Sequence, residues 1–68
     1  MNEEALNTSV RKFLKKVGVT AQREIEKAVH DAVASGRLKG SEAMTAKASI
    51  SLSTINLAFE VDGVIELE

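Results

Sequence analysis

Gly40-Ser41-Glu42-Ala43-Met44-Thr45-Ala46-Lys47-Ala48-Ser49-Ile50-Ser51-Leu52 is the stretch in which the hydrophobic period of this chain changes. From Met44 onward, apolar residues occupy every second position: Met44, Ala46, Ala48, Ile50, Leu52, then Leu57, Phe59, Val61, Ile65 and Leu67. A period of two places them on one face of a strand. Upstream of Gly40 the apolar residues recur at helical spacing. The chain therefore reads as α+β, a two-helix hairpin followed by a β-hairpin (α-α-β-β) in two layers.

Sixty-eight residues allow one small domain over 1–68. Chains this short bury little of their surface and are usually reinforced by disulfides, a metal or oligomerisation. With no Cys and one His, disulfides and multi-ligand Cys/His metal sites are excluded. Oligomerisation is the reinforcement that remains. There are two Phe and no Trp or Tyr, so any core is made of Val, Ile, Leu and Ala. No apolar run approaches the ~18 residues of a membrane span, and the start, Met1-Asn2-Glu3-Glu4, is acidic, so a soluble cytoplasmic protein is expected. Leu67-Glu68 carry no weight, since the same pair can be left by a cloning site.

The formal net charge of −1 conceals an asymmetry. Residues 1–40 hold eight Lys/Arg against five Asp/Glu, and residues 41–68 hold one against five. A basic helical half and an acidic strand half attract each other, within one subunit or between two.

The first helix is expected over 3–16, capped by Asn2, with Glu3 and Glu4 where the helix dipole favours negative charge. Leu6, Val10, Phe13, Leu14 and Val17 form its stripe, and Gly18 reads as its left-handed stop. Thr20 reads as the N-cap of a second helix over 21–35, with Ile25, Ala28, Val29, Ala32 and Val33 as its stripe and Gly36 as its end. Strands are expected over 44–52 and 57–65, joined by a loop at Ser53–Asn56. That loop pairs Leu52 with Leu57, Ile50 with Phe59 and Ala48 with Val61, so apolar residues meet apolar partners on one face, with Ala46 opposite Gly63 as a thin spot. Asp62-Gly63 offers a competing two-residue turn, but its register puts Phe59 opposite Glu66. One long strand with Gly63 as a bulge or bend is preferred; a third short strand stays open. Both hairpin edges are unpaired, and Lys47 is the single charge on the first strand, so a homodimer sharing a sheet is expected.

The candidate contact residues are Arg11, Lys12, Lys15 and Lys16, opposite the first stripe, with Arg23 and Lys27 on the second helix. A cationic strip of this kind binds phosphates or anionic surfaces. The commoner outcome for such a strip is a solvated helix face, and no aromatic residue accompanies it for base stacking. Two helices and a hairpin also resemble part of a winged helix-turn-helix in outline, but Glu24, Glu26 and Asp31 would then face phosphates. Glu26 and His30, four apart, read as a surface helix pair rather than a base and its orienter. The acids of the second strand lack a dense calcium-loop pattern. Gly36-Arg37-Leu38-Lys39-Gly40 has the composition of an anion cradle without the flanking strand and helix of a phosphate loop. There is no nucleophile with a base and no cofactor motif, so no enzyme, no catalytic residue, no metal and no cofactor is expected.

The runs Val10-Arg11-Lys12-Phe13-Leu14-Lys15-Lys16-Val17-Gly18-Val19-Thr20, Gln22-Arg23-Glu24-Ile25-Glu26 and Ala32-Val33-Ala34-Ser35-Gly36-Arg37-Leu38-Lys39-Gly40 resemble a family of short bacterial proteins, a domain of unknown function. The resemblance implies a bacterial origin and a stand-alone domain, and supplies no activity or site residue. The expected role is a non-enzymatic interaction or structural protein, homodimeric, with a protein partner. Nucleic acid bound by the basic strip is the alternative.

Overall fold

The computed structural model describes residues 1–68 as one helix and one β-hairpin, α1 (Glu3–Ala34), β1 (Ala43–Leu52) and β2 (Leu57–Glu66). The chain divides into two compact units, Met1–Arg37 and Leu38–Glu68.

The first unit corrects the expected helical hairpin. A single α-helix of 32 residues runs through Gly18, Val19 and Thr20 without a turn. Gly18 does not adopt positive φ, unlike Gly36 and Gly40. The physical reason lies in the phase of the stripe. At about 100° per residue, Leu6, Val10, Phe13, Leu14, Val17, Ala21, Ile25, Ala28 and Ala32 fall within one arc of about 120°. A turn at Gly18 would break that stripe into two helices of about 14 residues, each near the length at which an isolated helix is marginal. A glycine inside a continuous helix costs only about 1 kcal/mol relative to alanine, so continuity wins. With no turn at Gly18, the helix-turn-helix outline falls as well.

The ends of α1 match their sequence signals. Asn2 is the N-cap; its Oδ1 accepts the N–H of Ala5 at 3.1 Å, and Glu3 and Glu4 occupy the first turn. At the other end the Gly36 N–H donates to the Val33 carbonyl at 3.1 Å and the Arg37 N–H to the Ala32 carbonyl at 2.9 Å. Gly36 has φ of 82°. This is a Schellman closure, which needs a residue at ease in the left-handed region.

The second unit has the expected register. β1 and β2 are antiparallel, with Leu52 opposite Leu57, Ile50 opposite Phe59, Ala48 opposite Val61 and Ala46 opposite Gly63. The link is a 3₁₀ turn, Ser53–Ile55, closed by Asn56 at φ 56°. Asn is among the few side chains that occupy that region readily. Pairing continues without a slip through Lys47–Asp62 and Thr45–Val64 to Ala43–Glu66. Asp62-Gly63 is therefore neither a turn nor a bulge, and no third strand follows. Met44, Ala46, Ala48, Ile50 and Leu52 share one face with Leu57, Phe59, Val61 and Ile65. The other face carries Thr45, Lys47, Ser49 and Ser51 with Glu60, Asp62 and Glu66. Lys47 Nζ lies 3.8 Å from Glu60 Oε1 across that face; exposed pairs of this kind contribute about 0–1 kcal/mol.

No residue is buried in either unit. Phe13 on the helix stripe is 48% exposed, and Phe59 on the apolar strand face is 44% exposed. A lone helix and a lone two-stranded hairpin have no inside, so each leaves its apolar face open.

Candidate functional site

Arg11, Lys12, Lys15, Lys16, Arg23 and Lys27 stand on one continuous helix rather than on two. By helical geometry they span about 24 Å and lie outside the apolar stripe, with Lys16 at its border. Thr8, Arg11, Lys12 and Lys15 line a shallow exposed groove. None of the six cations is in an ion pair, since Lys47–Glu60 is the one pair present. Glu26, which sits among them, has Gln22 as its partner, whose Nε2 donates to Glu26 Oε2 at 3.3 Å. Glu26 and His30 do not hydrogen-bond. No three His, Asp or Glu side chains converge where a metal ion could be held.

A second groove runs on the stripe side of α1, lined by Phe13, Lys16, Val17, Thr20 and Ala21. It lies at the middle of the helix, where the expected turn would have been. Apart from Lys16 and Thr20, its walls are apolar.

The Gly36–Gly40 segment, read as a helix stop and linker, leads into a backbone cradle that is already filled from within. The Glu42 carboxylate accepts the N–H of Lys39 at 2.8 Å, of Gly40 at 3.0 Å and of Ser41 at 3.2 Å. The Lys39 N–H, followed by desolvation acting in the opposite sense and the other loop N–H groups, leaves the carboxyl below its ordinary pKa. Gly40, at φ 97°, gives the backbone the left-handed step that aims these donors at one point. The Glu42 carbonyl also accepts the N–H of Leu67 at 3.1 Å, tying the loop to the end of the hairpin. Sequence reasoning missed Glu42; the signal was a carboxylate just two residues beyond a glycine. A depressed pKa contributes stability above the ordinary glutamate value, and that contribution is lost as the pH falls through the folded value. The amide resonances of Lys39, Gly40 and Ser41 should therefore move together on acidification in an NMR titration. Glu42→Gln should abolish that movement, and titration unchanged in the variant would show that another group causes it.

The family of unknown function DUF6494 matches residues 1–68. The chain belongs to that family. The match covers both units of this DUF6494 protein, so the helix and the hairpin are parts of one family pattern. No curated protein and no solved structure matches the chain. No helix of this DUF6494 protein is long and apolar enough to cross a membrane.

Proposed function

We propose that this chain is a non-enzymatic interaction protein that works as a homodimer. One observation carries the reading: a nine-residue apolar stripe on α1 and a whole apolar face of the hairpin, neither of which its own unit can bury. Contiguous exposed apolar surface marks an interface in a soluble protein. A second copy is the partner that is present whenever the protein is, and it brings an apolar face of the same length. A bacterial, cytoplasmic setting belongs to the same reading, supported by the resemblance of residues 10–26 and 32–40 to short bacterial proteins. Folding coupled to association makes stability depend on concentration. The thermal midpoint, followed by circular dichroism, should rise by about 5–10 °C for a hundredfold increase in concentration. A midpoint independent of concentration would count against the dimer.

A second reading has its own observation. One helix aligns Arg11, Lys12, Lys15, Lys16, Arg23 and Lys27 on a side free of ion pairs, as a phosphate-backbone contact requires. Binding to mixed DNA and RNA should then weaken steeply with salt and collapse in Lys12→Glu/Lys15→Glu. Absence of binding at low salt removes this reading.

A further inference from the structure

We infer that the stripe of α1 docks against the same stripe of a second copy, antiparallel, with the two-fold axis level with Val19. This rests on the homodimer reading and goes beyond it by assigning the surface and the orientation. The first observation is the spacing of the stripe. Leaving aside Leu14, which in this register faces Glu24 of the second copy, the stripe residues Leu6, Val10, Phe13, Val17, Ala21, Ile25, Ala28 and Ala32 are spaced at intervals of 4, 3, 4, 4, 4, 3 and 4 residues. That order reads the same from either end. In an antiparallel pair centred at Val19, Leu6 faces Ala32, Val10 faces Ala28, Phe13 faces Ile25 and Val17 faces Ala21, each contact occurring twice.

The second observation is size. The first half of the stripe is bulky and the second half is rich in alanine. Antiparallel packing sets large against small in three of the four contacts, which holds the axes at one separation within the usual 8–10 Å. A parallel, in-register pair would set Leu6, Val10 and Phe13 against themselves and Ala21, Ala28 and Ala32 against themselves. Its axes would then splay at one end. The groove between Phe13, Val17 and Ala21 lies beside the two-fold, where the partner's Val17 and Ala21 would enter it.

The third observation is charge. Residues 3–19 carry four Lys/Arg and two Asp/Glu, and residues 20–34 carry two Lys/Arg and three Asp/Glu. Antiparallel docking sets a net +2 half beside a net −1 half twice. Parallel docking sets +2 beside +2; with most of these cations on the side of each helix away from the stripe, the difference is small at physiological salt. A helix of 32 residues is about 48 Å long. A contact strip of that length and about 10 Å wide covers about 1,000 Å² over both copies, the lower bound for a specific interface.

Cysteine cross-linking tests the orientation, and the absence of native Cys makes it clean. Leu6→Cys/Ala32→Cys should oxidise to a covalent dimer near twice 7.3 kDa, because a disulfide needs Cα atoms within about 7 Å. Within one chain the two positions are about 39 Å apart on the helix, so an internal bridge cannot form. Each single variant should stay uncross-linked under the same oxidation. A covalent dimer from either single variant would establish a parallel pair and overturn the inference. A dimeric protein in which no variant cross-links would place the interface elsewhere and overturn it too. In both cases the homodimer stands, whereas a monomeric mass for the unaltered chain removes the homodimer itself.

Discussion

Val17→Asp should dissolve the dimer and unfold the chain with it. Val17 lies in the centre of the stripe and on the wall of the mid-helix groove, which the proposed pair sets next to its two-fold axis. Removing its side chain forfeits about 1.5–3 kcal/mol of apolar burial, and the new carboxylate would be desolvated without a cationic partner opposite. In the proposed pair the residue facing it is Ala21 of the second copy, which offers no donor. The change occurs twice per dimer, so the loss is about 4 kcal/mol or more, and each 1.4 kcal/mol weakens association tenfold. Dissociation should strengthen by about a thousandfold, read by light scattering across a dilution series. Val19→Asp is the control. Val19 is 50% exposed and lies across the helix from the stripe, so its replacement should leave the mass unchanged. Equal effects at 17 and 19 would mean that the stripe is not the contact surface.

Gly18→Pro and Gly18→Ala should act in opposite directions. In a continuous helix, proline at position 18 removes the N–H that bonds toward Leu14 and its ring clashes with the preceding turn, a loss of about 3 kcal/mol or more. Alanine replaces the least favourable ordinary helix residue with the most favourable, a gain of about 1 kcal/mol per chain. A Cβ at Gly18 meets no atom within 4 Å in the chain itself. The thermal midpoint should fall sharply for proline and rise for alanine. The alanine result discriminates between architectures: at a left-handed turn between two helices it would be destabilising, and a lowered midpoint would restore the helical hairpin.

The contrast between the two units shows which signals were legible. The hairpin was readable because a period of two permits few registers, and one register paired the apolar residues of that face with one another except Ala46, which meets Gly63. Asn56 then closed the 3₁₀ turn in a conformation suited to it. The break at Gly18 was misread because Gly18 and Thr20 are a plausible stop and N-cap when taken locally. What decided the matter was longer in range: Val17 and Ala21 share a face across the supposed turn, so the two stripes are one. The same continuity aligned Arg23 and Lys27 with the cations of the first half, an arrangement two separate helices would not guarantee. The Glu42 cradle was invisible to hydrophobic patterning, since it is built from backbone N–H groups and one carboxylate. Its donors converge only because Gly40 takes positive φ, which composition does not announce.

The central claim is that a second copy covers the apolar stripe of the helix. The mass of the unaltered protein at micromolar concentration, by size-exclusion chromatography with light scattering, tests it most directly. The account predicts twice the chain mass of 7.3 kDa. A stable, cooperatively folding species of 7.3 kDa would contradict it.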